Sequence, residues 1–363
     1  MEKFAFLVHP LDVQDVARKF PFVRCLPERV VESFFRLVPP LKLAHLAGIK
    51  TPFNEAEGWF VSCALTARQM LALPEEFVFR RLIQAGRKAE KLGAKVLGLG
   101  AFSSVVGDAG VTVARHLRIA VTTGNSYTVA TAIEGAKEAA RLMGHDVRKA
   151  HVVILGATGS IGKVCALLLA REVSKMTLVA RPKADLQDLA AQVLYETGLS
   201  VRITDNVKQA LTAAQVIIAV PSSIDPIIGP QDLIPGAVIC AVTRPYNLSR
   251  QVAEQRDDVL VIEGGVIEVP GEVDSSFNFG FLPGMVHACL AETIVLALER
   301  RYENFSLGRD LTTKQVEEIS RLAKKHGFKL AGFRSFERVI GQEEIERIKK
   351  RAQERSRNVV TIS

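Results

Sequence analysis

Residues 152–162, Val-Val-Ile-Leu-Gly-Ala-Thr-Gly-Ser-Ile-Gly, leave few folds open to this chain. An uninterrupted apolar run ends in glycines and passes into a helical pattern, which reads as a buried strand, a tight turn and a helix. Gly156 permits the turn, Gly159 lets the backbone approach a ligand closely, and Gly162 allows the helix to pack tightly on the strand. The helix start offers unpaired N–H groups and the positive end of its dipole to a phosphate. Gly156, Ala157, Thr158, Gly159, Ser160, Ile161 and Gly162 are therefore the expected cradle for the pyrophosphate of a dinucleotide cofactor. The rhythm continues with candidate strands at 176–181, 200–204, 215–220, 237–242 and 259–265, separated by helical or turn-rich segments. Together with 151–156 these make six strands, enough for a Rossmann-type doubly wound parallel sheet. The second strand ends on Arg181, where a carboxylate would suit the ribose hydroxyls of NAD. An arginine suits a 2′-phosphate instead, so NADPH is the expected cofactor, with Lys183 adding to the positive field.

The first half is less regular but also α/β, with candidate strands at 4–8, 41–46, 59–64, 96–100 and 119–123. Its clearest helix spans 75–92, where Val78, Leu82, Ala85, Ala89 and Leu92 form an apolar stripe and Arg80, Arg87, Lys88 and Lys91 lie opposite. The latter face is a candidate docking surface for an acidic partner. A helix over 126–143, capped by Asn125 or Ser126 and closed by Gly144, leads toward the second domain. Beyond 265 a Pro/Gly-bearing loop precedes a long apolar helix, read as 285–302, and the tail from Arg334 reads as a solvated charged helix. The expected organisation is an N-terminal α/β substrate-binding domain (1–147), a Rossmann domain (148–280) and a C-terminal helical segment (281–363) that returns to the cleft and packs back on the first domain.

Composition narrows the class. At 363 residues two cores are expected, and 48% hydrophobic with 24% charged residues suits a folded α/β protein. No window is long and apolar enough to span a membrane and the start lacks a signal-peptide pattern, so a cytoplasmic enzyme without integral membrane association is expected. Five cysteines (Cys25, Cys63, Cys165, Cys240 and Cys289) show no CxxC pairing, and the histidines show no HExxH spacing, so neither a disulfide framework nor a metal site is expected. A net charge of +8 favours an acidic partner, be it nucleic acid, an acidic carrier protein or a phosphorylated cofactor, and charge alone does not choose among them; no nucleic acid partner is expected of the enzyme read here.

Six segments, in this order, carry a more specific signal: Leu-Gly-Leu-Gly-Ala-Phe-Ser-Ser (97–104), Thr-Thr-Gly-Asn-Ser (122–126), the glycine turn 156–162, Gly-Gly-Val-Ile-Glu (264–268), Ala-Cys-Leu-Ala-Glu (288–292) and Asn-Phe-Ser-Leu-Gly-Arg (304–309). In order and spacing the chain, to about Phe328, resembles the long-chain acyl-[acyl-carrier-protein] reductases. The resemblance implies reduction of a fatty acyl thioester, on acyl carrier protein or coenzyme A, to a fatty aldehyde with NADPH. It places the family's nucleophile on Cys289 and a cleft-lining loop at Thr122–Asn125. His287 stands where an aromatic residue is expected, Leu307 replaces a tryptophan, and the tail past Phe328 is an extension.

The chemistry agrees with that assignment. A thiolate is strongly nucleophilic and passes the acyl group on as another activated thioester, and a cysteine near a helix start is expected to have a lowered pKa. Ser103, Ser104 and Asn125 are candidate oxyanion or substrate contacts, although each also suits a turn or cap. Glu292 is either an orienting group or a structural hydrogen-bonding residue, and its charge would raise the thiol pKa. His287 is disfavoured as a base because residues two apart on a helix do not face each other. Two other classes stay open: a shikimate- or quinate-type NADP-dependent dehydrogenase, which shares the domain order, and a non-catalytic NADP-binding sensor. Acyl length, the choice of carrier and the oligomeric state are not fixed by the sequence.

Overall fold

The computed structural model describes residues 1–19, 23, 25–181, 183–220, 227–242, 248–275, 281–336 and 338–362. Contacts divide the chain into two compact units. The first takes Met1–Tyr127, Ile267–Leu311 and Gln315–Lys329, and the second takes Thr128–Val266, Thr312–Lys314 and Leu330–Ser363.

In chain order the strands up to residue 275 are β1 (Glu2–Val8), β2 (Lys42–Lys50), β3 (Glu55–Ser62), β4 (Val96–Leu99), β5 (Ala120–Thr122), β6 (His151–Leu155), β7 (Lys175–Val179), β8 (Arg202–Thr204), β9 (Val216–Ala219), β10 (Val238–Ala241), β11 (Leu260–Glu263), β12 (Val266–Glu268) and β13 (Gly271–Ser275). The helices that position the sites are α1 (Ala67–Ala72), α2 (Glu75–Lys91), α3 (Asn125–Leu142), α4 (Ser160–Leu169), α5 (Lys183–Thr197), α6 (Ala288–Leu298) and α7 (Gln342–Ile362).

The second unit holds a six-stranded sheet in the order β11-β10-β9-β6-β7-β8. All its pairings are parallel. Counted within the unit this is 3-2-1-4-5-6, the doubly wound Rossmann order, and it bears out the six strands expected from the sequence. Every residue of β6, β9, β10 and β11 is buried. Burial on both faces explains why these strands are continuous apolar runs rather than alternating ones.

The first unit also holds a six-stranded sheet, in the order β13-β2-β3-β1-β4-β5. The β1, β3, β4 and β5 pairings are parallel, while β2 and β13 run antiparallel at one edge. The sequence reading misses β13, which is contributed by chain beyond the Rossmann sheet. The long helix α2 covers the core built on Leu7, Val61, Leu97, Leu99 and Val121 through Val78, Leu82, Ala85 and Ala89, the stripe expected from the sequence. Helix α6 packs on β1, β3 and β4. It is shorter than the 285–302 read from hydropathy: Met285–His287 are extended, and the helix stops at Leu298 before Arg300 turns left-handed at φ 55°. Hydropathy alone cannot separate a buried strand residue from a buried helix residue.

The charged tail is only partly a solvated helix. A short hairpin, Phe333–Ser335 with Arg338–Ile340, precedes α7. From α7, Arg355 reaches Asp258, a fully buried carboxylate that also pairs with Arg256 at 2.7 Å.

Candidate functional site

Cys289 is the second residue of α6, and His287 occupies the N-cap position without a side-chain cap. The His287 ring stands edge-on to Phe281 at 4.6 Å between centroids. Cys289 is partly exposed, whereas Cys63, Cys165 and Cys240 are buried and Cys25 is exposed. Gly124, at the turn after β5, lies directly against it. A β-carbon on Gly124 would sit 2.3 Å from both Cα and Cβ of Cys289, and the residue's φ of +74° is itself unfavourable for a side chain. The glycine therefore sets how near α6 can come to the carboxyl end of β5.

The thiol does not have the lowered pKa expected from its place at a helix start. Burial pushes it up to about 11, and the Glu292 carboxylate one turn along adds in the same direction. The backbone N–H groups of Leu290, Cys289 and Ala101 act oppositely but do not win. The resting sulfur is therefore a thiol at neutral pH. Burial pushes Cys63 to about 11 and Cys240 to about 12 as well. Cys63 is buried and has one backbone N–H, from Leu65, favouring its thiolate, whereas Cys289 is partly exposed and has three.

Glu292 is fully buried and saturated with donors. Thr122 Oγ1 and Ser306 Oγ (2.7 Å) donate to Oε1, and Ser126 Oγ (2.6 Å) and Tyr127 N–H (2.8 Å) donate to Oε2. One carboxylate thus ties α6 to the end of β5, the first turn of α3 and the segment around Ser306. By accepting from the first turn of α3 it does the work of a cap there. Asn125 begins that helix, and its Nδ2 is buried with no partner among the described residues. An unpaired buried amide donor is costly, and it is a group able to hold developing negative charge.

Ser103 and Ser104 do not share that property. Both lie in a 3-10 turn, Ala101–Ser104, and their hydroxyls donate to the carbonyls of Gly100 and Ala101, each at 2.7 Å. They clamp the turn. The structure thus brings Cys289, Gly124, Ala101 and the Glu292 shell together in the first unit. The sequence marks Thr122 only as part of a cleft-lining loop and Ser126 only as a helix cap, and their meeting with Ser306 around Glu292 is not predicted because the segments are distant.

A cavity of about 860 Å³ in the same unit is lined by Arg87, Lys91, Lys95, His116 and Arg118 among others. It opens where the chain enters β4 and β5, whereas Ala101 and Gly124 follow the other ends of those strands. The expected docking face on α2 shares Arg87 and Lys91 with this cavity, at the strand ends remote from the thiol.

In the second unit the glycine turn follows β6, the strand at which the sheet order reverses. Gly156 is left-handed at φ +77°, and the N–H groups of Gly156 and Ala157 are spent on the Val179 carbonyl. A β-carbon on Gly162 would lie 2.2 Å from the Gly156 carbonyl oxygen. Gly159 is exposed and N-caps α4 with no side chain over the helix end. Ser160, Ile161 and Gly162 form the first turn behind it. These residues fit a nucleotide's phosphates: the turn is bare, its close contacts exclude side chains, and a helix dipole points at it. Arg181 lies just past β7 and is exposed. The side chain of Lys183 falls outside the described ones. Among the described residues no cluster of metal-ligating side chains occurs, and no helix is long and apolar enough to cross a membrane.

Residues 137–260 match the family model for shikimate / quinate 5-dehydrogenase. Aminotransferase PigE of Serratia sp. is 29% identical over 362 residues, 96% of this chain and 42% of that protein. The chain thus spans less than half the length of this relative. The long-chain acyl-[acyl-carrier-protein] reductase of Synechococcus elongatus is 26% identical over 330 residues, 87% of this chain and 94% of that protein. Among solved structures, L-tryptophan dehydrogenase from Nostoc punctiforme is similar with a TM-score of 0.37 and 13% identity, covering 98% of this chain and 88% of that one. The family match and the reductase relative support an NAD(P)-dependent oxidoreductase, without distinguishing NADPH from NADH.

Proposed function

We propose that this chain reduces a fatty acyl thioester, carried by acyl carrier protein or coenzyme A, to a fatty aldehyde, with NADPH as reductant and Cys289 as the acyl acceptor. The observation that carries the reading is the partly exposed Cys289 at the start of α6, with backbone N–H groups that favour its thiolate and the unpartnered Asn125 amide one residue beyond its neighbour Gly124.

The Cys289 sulfur adds to the thioester carbonyl as thiolate, and the carbon–sulfur bond to the carrier then breaks. The proton lost by Cys289 balances the one gained by the departing carrier thiol, so this half-reaction needs no external acid or base in its net accounting. N–H groups at the start of α6 and at Ala101 lower the cost of the transient thiolate, and Asn125 Nδ2 is the proposed donor to the oxyanion. Reduced nicotinamide, when bound, would supply hydride to the acyl carbon; the bond from that carbon to the Cys289 sulfur then breaks, the aldehyde leaves, and Cys289 departs as thiolate and regains its proton. Gly156–Gly162 hold its pyrophosphate in this reading, and Arg181 its 2′-phosphate.

Two variants separate these roles. Arg181→Glu should weaken NADPH binding by about ten- to a hundredfold and leave NADH binding nearly unchanged, measured by fluorescence titration, because a charge-assisted contact is worth roughly 1.5–3 kcal/mol. Equal losses would remove Arg181 from the 2′-phosphate site. Asn125→Ala should lower kcat for acyl reduction by about a hundredfold with little change in KM, since an oxyanion donor acts mainly in the transition state. An unchanged kcat would leave the oxyanion to backbone donors.

The direct assay is product analysis after mixing the protein with NADPH and a long-chain acyl thioester. One aldehyde per NADPH oxidised supports the proposal. The match of 137–260 to shikimate / quinate 5-dehydrogenase favours the second reading, for which NADP-dependent oxidation of shikimate or quinate, with no aldehyde from thioesters, would be the result.

A further inference from the structure

We infer that His9 is a positioning residue for Cys289, holding the Ala101–Ser104 turn so that the Ala101 N–H faces the nucleophilic sulfur. The inference deepens the proposed function and rests on it only for the importance of the sulfur.

His9 follows β1, and its two ring nitrogens are both engaged. The Phe102 N–H donates to Nε2 at 3.0 Å, and Nδ1 lies 2.9 Å from the Pro10 carbonyl oxygen. An N–H can only donate and a carbonyl can only accept, so the ring must carry its proton on Nδ1 and present a bare Nε2. Only that neutral tautomer satisfies both partners. Burial pushes the imidazole pKa down, while the Pro10 carbonyl and Asp15 act the other way, and the neutral ring prevails.

The turn that His9 grips needs holding. Ala101 has a φ of +48°, a left-handed conformation that a residue with a β-carbon adopts only when its surroundings enforce it. Gly100 N–H is fixed on the Leu7 carbonyl at 3.1 Å, and Ser103 and Ser104 clamp the turn's own carbonyls. Backbone bonds close the far side of the turn, from Ser103 N–H to the Gly100 carbonyl (3.2 Å) and from Val105 and Val106 N–H to the Phe102 carbonyl (3.1 Å each), while His9 is the side-chain acceptor for the Phe102 N–H. Phe102 is the next residue after Ala101, so the His9–Phe102 bond fixes the peptide adjoining the one whose N–H favours the Cys289 thiolate. Loss of the acceptor leaves the Phe102 N–H without its partner and loosens the strained Ala101 peptide at its C-terminal side, which shifts the Ala101 N–H relative to the sulfur. His9 touches neither substrate nor cofactor in this account.

The test reads the sulfur itself. In a Cys25→Ser background, iodoacetamide labelling of Cys289 is followed by peptide mass spectrometry. The wild-type rate should rise about tenfold per pH unit across the neutral range, because burial pushes the thiol up to about 11. His9→Leu should slow labelling at fixed pH by severalfold, because the thiolate loses part of its N–H support. His9→Gln, whose Oε1 can accept from the Phe102 N–H, should stay within about twofold of wild type. A folded His9→Leu variant labelled at the wild-type rate would overturn the inference. Should that variant fail to fold, the ring-nitrogen NMR shifts of His9 in the wild-type protein decide the matter: the Nδ1–H tautomer is required, and an Nε2–H tautomer would overturn it. Labelling needs neither acyl substrate nor nicotinamide. Absence of aldehyde formation would therefore count against the proposed function while the His9 result stood.

Discussion

Cys289→Ser should retain the fold and the affinity for NADPH while losing aldehyde formation by about a thousandfold or more. Serine is nearly isosteric with cysteine and is well tolerated in the first turn of a helix, so α6 should form as before. What disappears is the sulfur. Even from a thiol titrating near 11, a thiolate is reached far more readily than an alkoxide, and an oxygen ester is a poorer acyl donor than a thioester. Cys63→Ser is the matched control, because Cys63 is buried in the core of the first sheet and its loss should leave the chemistry in place. Circular dichroism, NADPH titration and aldehyde yield measured on the three proteins check this together. Wild-type turnover by Cys289→Ser would move the dehydrogenase reading to first place.

Glu292→Ala should act on stability rather than on one chemical step. It strips the acceptor from the hydroxyls of Thr122, Ser126 and Ser306 and from the Tyr127 N–H, all inside a buried shell. The hydroxyls can turn toward one another, since Thr122 and Ser306 are already 3.0 Å apart, but the backbone N–H cannot. A cost of about 3 kcal/mol follows, which corresponds to a fall in Tm of roughly 6–12 °C for a unit of this size. Glu292→Gln keeps one acceptor oxygen but turns an amide N–H₂ toward donors, so it should fall between wild type and Ala. Differential scanning calorimetry resolves the three. A Tm within a degree of wild type for Glu292→Ala would show that the shell is not what fixes α6 against β5 and α3.

The Rossmann sheet was legible because its strands are buried on both faces and write themselves as apolar runs, each closed by turn or helix signals. The glycine turn was legible for a related reason: Gly162 has no room for a β-carbon, and a steric demand of that kind leaves a residue in the sequence. The first sheet was harder. Its strand β13 is short, antiparallel and drawn from beyond the Rossmann unit, so nothing local marks Gly271–Ser275 as the partner of β2.

The candidate site was legible only at its centre. Cys289 could be singled out, but its pKa could not be read, because the helix start argues for a lowered value while burial and Glu292 raise it. Likewise Ser103, Ser104 and Asn125 look equivalent as polar residues near turns. Their hydrogen bonds separate them: two hydroxyls are spent on backbone carbonyls, and one amide nitrogen is left over. Residues 9, 122, 126 and 306 acquire their roles through contacts between distant segments, which no spacing rule in the sequence encodes.

Intact-protein mass spectrometry of the protein mixed with a long-chain acyl thioester, with NADPH withheld, tests the acyl-enzyme most directly. The account predicts a mass gain equal to one acyl group, released by hydroxylamine, mapped to Cys289 and absent from Cys289→Ser. A wild-type protein that gains no acyl group, or a Cys289→Ser protein that gains the same hydroxylamine-labile group, would contradict it.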